Sequence, residues 1–172
     1  TDMDGAFQDA WAFNAPLDWD TSKVTHLEWT FGYALAFNSE LVWDTSEVTS
    51  MRGMFWVAES FNQPLVWNTS SVTMMSRTFE GAAAFNQPGI IDDWDVSSVA
   101  NFDSIFTGTA LESDACSKHL LIEGWAEVVA FTTADTDDSG TAIYSSWEGA
   151  AVWVDGVCIN RPPSVPPSPS PP

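Results

Sequence analysis

With 172 residues, 45% of them hydrophobic and 13% aromatic, the chain holds enough apolar material for one domain with a real core. Five Lys and Arg against 24 Asp and Glu give a formal charge of −19, which excludes nucleic-acid backbones and anionic membranes as default partners, because both need a cationic footprint. No apolar run reaches the ~18 residues of a membrane span, and neither an initiator Met nor a signal peptide opens the sequence, so it reads as a fragment or mature form.

From its first residues the chain repeats itself. Phe7, Phe31, Phe55 and Phe79 are 24 apart, and Phe106 follows after 27. Phe13, Phe37, Phe61 and Phe85 keep the same step, each followed by an Asn (Asn14, Asn38, Asn62, Asn86). Trp19, Trp43, Trp67 and Trp94 continue the register, as do Val24, Val48, Val72 and Val99, then Leu27, Met51, Met75 and Phe102. The three extra residues before Trp94 fall in "GIIDD" (Gly89 to Asp93); an insertion that leaves the register intact behaves as a loop. A unit of this size is one coil of a stack, because no single coil can bury its own Phe, Trp and Met.

Within a coil the hydrophobic period changes. "TSEVT" (Thr45 to Thr49) alternates as a short strand would, with Thr45, Glu47 and Thr49 on one side and Ser46 and Val48 on the other. Met51, Met54, Phe55 and Ala58 then fall at i, i+3, i+4 and i+7, the apolar stripe of a two-turn helix. "FNQPL" is an extended return, since Pro64 cannot donate a backbone hydrogen bond. The expected fold is therefore an α/β repeat solenoid of leucine-rich-repeat-like coils of about 24 residues (short parallel strand, short helix, extended return), with strands about 4.8 Å apart. It occupies residues 1–109 as about four coils, the first truncated, as if earlier coils had been cut away. The Asn column is expected to satisfy backbone groups at a bend, a row of ligand-binding amides being the alternative. The Trp column reads as core, with sugar stacking as its rival.

The expected outward strand face carries Thr21, Thr45, Thr69 and Val96 in one row and Thr25, Thr49, Thr73 and Ala100 in another. Between them Lys23, Glu47, Ser71 and Ser98 vary as solvent-facing positions do. Short side chains on a flat sheet suit an extended polypeptide or a glycan; strand propensity without any ligand explains the same letters. Ice binding is a further use of stacked Thr rows, opposed by the charged middle row. Asn68-Thr69-Ser70 is a glycosylation sequon, while Asn68 also stands where Asp20, Asp44 and Asp95 recur.

Residues 110–160 lose the repeat and read as a cap, with a helix starting near Ser113 or Asp114 and Leu120, Leu121, Trp125, Val128 and Val129 packing on the last coil. Cys116 and Cys158 are an even pair suited to a disulfide in an oxidising compartment; closing about 40 residues would contribute roughly 3–4 kcal/mol, and two unrelated buried thiols are the alternative. Asp135, Asp137 and Ser139, with Gly140, match the opening of an EF-hand calcium loop, but Ser146 stands where a bidentate Glu belongs, and an acidic turn needs no metal. Residues 161–172, "RPPSVPPSPSPP", form a disordered Pro/Ser-rich spacer that resembles segments of algal and plant wall glycoproteins, an SH3-type ligand being the rival use. The only histidines, His26 and His119, join no metal-spaced cluster, and Cys116 with His119 lacks an orienting acid. No enzyme, no cofactor and no metal is expected.

The pattern M-x-x-M-F-x-x-A-x-x-F-N-Q-x-L-x-x-W-D-T-S-x-V-T-x-M, matched almost throughout by "MRGMFWVAESFNQPLVWNTSSVTMM" (Met51 to Met75) and in part by "WDTSKVTHL" and "WDTSEVTSM", resembles the BspA-like leucine-rich-repeat surface proteins, including the "domain of unknown function 285" repeats of mycoplasma and protist surface proteins. The resemblance covers about residues 2–109. The unit here is one residue shorter than the usual pattern, and the last repeat degrades to "VANFDSIF". The resemblance implies a secreted or cell-surface module for adhesion or for interaction with an extracellular protein or glycan, and it supplies no catalytic residue. The alternatives are a structural wall or coat component without a specific ligand and a calcium-binding module.

Overall fold

The computed structural model describes residues 1–125, 151–154 and 157–160. Its organising feature is a set of peptide planes turned parallel to the stacking direction. In one coil the N–H groups of Met51, Gly53, Phe55 and Val57 donate to the carbonyls of Met74, Ser76, Thr78 and Glu80 at 3.0, 3.0, 2.8 and 2.8 Å. The preceding coil does the same: Leu27, Trp29, Phe31 and Tyr33 donate to Ser50, Arg52, Met54 and Trp56. So does the following one, from Met75, Arg77, Phe79 and Gly81 to Asn101, Asp103, Ile105 and Thr107. Each such plane sends its N–H toward the higher-numbered coil and its carbonyl toward the lower-numbered one.

The intervening amides bond within their own coil, Met54 to Met51, Trp56 to Gly53 and Ala58 to Phe55, at 3.1, 3.0 and 3.0 Å. The segment is a run of overlapping turns. Its backbone reaches positive φ at every fourth residue: Gly5 and Asp9, Trp29 and Tyr33, Gly53 and Val57, Arg77 and Gly81, Ser104 and Gly108. An α-helix needs φ near −63° at every position, so this backbone is incompatible with one.

The expected α/β solenoid is thereby overturned. No coil contains the two-turn helix, because half of its amides are bonded to the neighbouring coil. Nor does "TSEVT" form a strand: Ser46 and Glu47 sit in a turn closed by the Val48 amide on the Thr45 carbonyl at 3.0 Å. Contact between coils at the expected strand ladder shrinks to isolated parallel bridges, Asp2–His26, His26–Ser50, Ser50–Met74 and Met74–Asn101. Among the described residues the only strands are β1 (Ala151–Val154) and β2 (Val157–Asn160), which pair antiparallel with Trp153 opposite Cys158.

The expected columns of side chains are nevertheless present, since a run of i to i+3 turns directs residues 51, 54, 55 and 58 to one side much as a helix would. Phe31, Phe55, Phe79 and Phe106 stack with centroids 5.6, 5.5 and 5.8 Å apart. Phe37, Phe61 and Phe85 stack beside them at 5.8 and 6.1 Å, and within a coil the two columns touch at 4.0 Å or less. Trp43, Trp67 and Trp94 form a third column at 6.4 and 6.3 Å. These rings are buried with Met51, Met54, Met75 and the Val24–Val48–Val72–Val99 row. Ring pairs in this geometry add about 0.5–1.5 kcal/mol each beyond their buried area.

Polar columns hold the return segment. The side-chain oxygens of Asn14, Asn38 and Asn62 accept the backbone amides of Asn38, Asn62 and Asn86, each at 2.9 Å. The indole N–H groups of Trp43, Trp67 and Trp94 donate to the carbonyls of Leu17, Leu41 and Leu65. Both sets satisfy groups that the coil's bends would otherwise bury unpaired. The three-residue insertion is not a plain loop: it forms the one-turn helix α1 (Pro88–Ile91), with Pro88 at its start and Ile91 buried.

The cap opens with α2 (Ala110–Ser113), a single turn the sequence does not predict, followed by α3 (Ala115–Trp125), which starts beside Asp114 as the sequence suggests. Thr109 is the N-cap: its hydroxyl accepts the Glu112 amide at 3.1 Å, while the Glu112 carboxylate accepts the Gly108 amide at 2.7 Å. The cap continues the register of the stack, since the Leu111 amide donates to the Phe85 carbonyl and the Ser117 hydroxyl donates to Asn86 Oδ1, last of the Asn column. Trp125 and Leu121 are buried, and Trp125 packs on Phe102 and Phe106 at 5.7 and 6.0 Å. Val128 and Val129 lie outside the described residues.

Gly53 tests this geometry. Its φ is +59°, and a Cβ there would lie 2.3 Å from the Trp29 ring. Gly53→Ala is expected to lower stability by more than about 1 kcal/mol in chemical denaturation, the backbone share alone being about 1–2 kcal/mol. In a Trp29→Ala background the same substitution should cost only that backbone share, because the ring it strikes is gone.

Candidate functional site

The candidate surface is built by residues 20–25 and their equivalents in later coils. Asp20, Asp44, Asn68 and Asp95 open each of these turns: one side-chain oxygen accepts both the amide and the hydroxyl of the Ser two residues on, with distances between 2.7 and 3.1 Å. The aspartate or asparagine thus does locally what a backbone carbonyl does in a turn.

That turn rotates the rows away from the orientation expected of a strand. Thr21, Thr45, Thr69 and Val96 do not face solvent; they are buried. The three hydroxyls donate inward along the stack to the carbonyls of Asp44, Asn68 and Asp95 at 3.0, 2.9 and 3.0 Å. A strand would put residues 21, 23 and 25 on one face, whereas the turn turns the first of them into the core. Lys23, Glu47 and Ser98 are exposed, and Ser71 is half-buried with its hydroxyl on the Ser46 carbonyl. Thr25 and Thr49 are half-buried and Thr73 is exposed. Their amides and hydroxyls both point back along the stack, to the carbonyls of Thr1, Thr25 and Thr49. The surface that remains is a line of Lys23, Glu47, Ser71 and Ser98 beside a Thr row already engaged between coils. Asn68 is exposed at its turn.

The sequence reading missed a second surface, on the outside of the turn run. Trp56 meets Trp29 and Tyr33 edge-on at 5.3 and 4.6 Å, and the Arg52 guanidinium lies 5.4 Å from the Trp29 ring centre. A cleft of about 290 Å³ beside it is lined by Arg52, Met74, Ser76, Arg77, Asn101 and Asp103, with Arg77 paired to Glu80 at 2.9 Å. Sequence patterning assigns no role to residues 29, 33 and 56; the bonds between coils from the Trp29 amide to Arg52 and from the Tyr33 amide to Trp56 bring them together.

The remaining sequence candidates have no described site. Asp135, Asp137 and Ser139 lie outside the described residues, as does the tail from 161 to 172. Among the described residues no cluster of His, Cys, Asp or Glu is arranged to hold a metal, no cysteine is free, and no helix is long and apolar enough to cross a membrane.

Ionisation follows the turns. Hydrogen bonds first from the Ser hydroxyl and then from the Ser amide hold Asp20, Asp44 and Asp95 below the ordinary carboxylate range. Burial raises Asp4, and burial with Asp93 beside it raises Asp92. For the depressed group the unfolded chain holds more protons just below the ordinary range, so its stabilisation is complete above that range and is lost as pH falls through the folded value. Asp4 and Asp92 act in the opposite sense, losing their contribution as pH rises through their folded values. Replacing Asp20, Asp44 and Asp95 together by Asn keeps the turn acceptor, as Asn68 does naturally. It should flatten the acid side of a melting-temperature against pH profile, whereas replacement by Ala should lower the melting temperature at neutral pH as well.

No curated protein and no solved structure matches the chain. Residues 1–119, covering the stacked coils and the start of the cap, match the family model described as "Mycoplasma protein of unknown function, DUF285", and the chain belongs to that family of repeat proteins.

Proposed function

We propose that the chain is a non-enzymatic, extracellular or cell-surface interaction module of BspA-like character, which contacts an extracellular protein or glycan through its exposed line of variable side chains. The observation that carries this reading is the division of labour within a coil. Thr21, Thr45 and Thr69 and the Asn column are consumed by stacking, while Lys23, Glu47, Ser71 and Ser98 sit at matching places and differ in charge and size. A scaffold whose repeated positions build its interior leaves recognition to the variable ones. The shifted carboxylates support a non-catalytic role, since turn hydrogen bonds or burial account for them. The −19 charge would give an acidic exterior that favours basic partners.

A structural wall or coat component without a specific ligand is the second reading. It is favoured by the hydroxyls of Thr25, Thr49 and Thr73, whose regular row is explained by bonds between coils alone. Protein and glycan arrays probed with the purified chain separate the two. The first reading expects a ligand whose binding falls at least severalfold in a Lys23→Glu, Glu47→Lys double variant; silence at high micromolar concentration assigns the chain to the second.

In either role a Cys116–Cys158 cross-link would tie the start of the cap to its end. Cys116 is in α3 and Cys158 in β2. Non-reducing peptide mapping is expected to recover the two cysteines in one linked pair, and reduction should lower stability by up to about 4 kcal/mol, the chain-entropy value for a loop of this length.

A further inference from the structure

In the core, stacking sets like side chains side by side; on the outside of the turn run it sets unlike ones in line. Arg52, Ser76 and Asp103 hold the same position in three successive coils, since their carbonyls accept the amides of Trp29, Gly53 and Arg77 in turn. All three line the cleft of about 290 Å³, with Arg77 and Asn101 beside them. A cation, a hydroxyl and a carboxylate therefore follow one another over two coil steps, about 10 Å. Two of the chain's five Lys and Arg meet in this one cleft, although the formal charge is −19.

These groups are held in place with bonding capacity to spare. Arg77 is paired with Glu80, whereas the Arg52 guanidinium makes no ion pair among the described residues and rests against the Trp29 ring at 5.4 Å. Ser76 is only 6% exposed, yet its hydroxyl reaches no oxygen or nitrogen acceptor among the described residues. Its partner is the Met74 sulfur at 3.6 Å, and a thioether is a weak acceptor. A buried hydroxyl in that state beside a cleft is suited to a ligand oxygen. The Asn101 side-chain amide donates to Asp103 Oδ2 at 3.1 Å, and the Asn101 oxygen accepts the Asp103 backbone amide, which orients the carboxylate. The Trp29 ring is seated on Gly53, whose missing side chain leaves the room it occupies, and Trp56 braces it edge-on. Trp29, Tyr33 and Trp56 are half-buried, so each ring keeps an accessible part.

We propose that this cleft binds a carboxylate-bearing sugar residue of an acidic glycan. The sugar carboxylate pairs with the Arg52 guanidinium, whose planar fork fits it. One ring hydroxyl accepts from Ser76 and another donates to Asp103. The C–H face of the sugar packs on the accessible parts of the Trp29–Trp56 pair, where weakly positive hydrogens meet the negative face of an indole. A volume of about 290 Å³ is at the small end of ligand pockets, room for one ring and its substituents. An acidic peptide fits less well: its carboxylate pairs with Arg52, but it brings no array of hydroxyls for Ser76 and Asp103. A neutral sugar leaves Arg52 unused. The cleft is separate from the line through Lys23 and Glu47, and binding at one does not depend on binding at the other.

Isothermal titration calorimetry of the full chain against oligomers of galacturonate, glucuronate and mannuronate, and against sialyllactose, is expected to give saturable binding to at least one of them. The matching neutral sugar should bind about tenfold more weakly or worse. Affinity for the acidic sugar should fall about tenfold or more in Arg52→Gln and severalfold in Ser76→Ala, with the melting temperature of both variants unchanged. The indole ¹⁵N–¹H signal of Trp29, assigned through Trp29→Phe, should shift during the titration, which ties binding to this cleft. The proposal is overturned by no binding to any of these sugars at millimolar concentration, by equal affinity for acidic and neutral sugars, or by an Arg52→Gln variant that binds as the unsubstituted chain does. Hexaglutamate binding as tightly as the best sugar also overturns it and makes an acidic peptide the occupant.

Discussion

Everything in this fold depends on the peptide planes that stand along the stack. Four per coil carry their N–H groups in one direction, from Met51, Gly53, Phe55 and Val57 into the next coil, and their carbonyls in the other. Leaving a buried backbone group unpaired costs a desolvation penalty of about 1–3 kcal/mol, enough to offset an unfavourable local conformation. The chain accordingly accepts positive φ at bulky residues such as Trp29, Tyr33 and Val57, a conformation that L residues ordinarily avoid. What a helix would have gained inside each coil is gained between coils instead.

That constraint also explains the composition of the interior. Coils linked amide to carbonyl place equivalent side chains face to face, so the rings of Phe31, Phe55 and Phe79 lie within 5° of parallel, and those of Phe37 and Phe61 within 2°. Flat rings tolerate such repetition better than branched chains do, because identical neighbours can stack without interlocking. The same repetition would pile like charges on the rim. Asp20 and Asp44 are neighbours of this kind, and the Asp44 charge counts against ionisation of Asp20 while the Ser22 hydroxyl and amide outweigh it. Asn68 interrupts the acidic series with the same hydrogen bonds and no charge.

Function on such a scaffold is confined to what stacking leaves over. The described surface offers two places where side chains vary freely: the line through Lys23, Glu47, Ser71 and Ser98, and the cluster of Trp29, Tyr33, Arg52 and Trp56. Neither brings together a nucleophile and a base. Both are arrays along the stack, suited to contact over an extended area, which supports the interaction role proposed above.

By itself the sequence determined the period, the columns and their membership. Phe, Trp, Val, Met and Asn recur at fixed spacing only if equivalent positions share one environment, and Asp114 before an apolar run marks a helix start that local chemistry alone can specify: α3 begins at Ala115, with the Asp114 carboxylate accepting the Cys116 amide. Tertiary structure decided the backbone. Residues 51, 54, 55 and 58 face inward both in a helix and in a run of overlapping turns, so hydrophobic spacing cannot separate the two; the choice rests on whether an amide bonds four residues back or to the neighbouring coil. The Thr rows misled for the same reason. Alternation predicts a strand face, but the side chains of Asp20, Asp44, Asn68 and Asp95 capture the Ser two residues on and close a turn, and that turn sends Thr21, Thr45 and Thr69 into the core. Bonds between residues 24 apart are invisible to any local rule, and in this protein they are the ones that set the conformation.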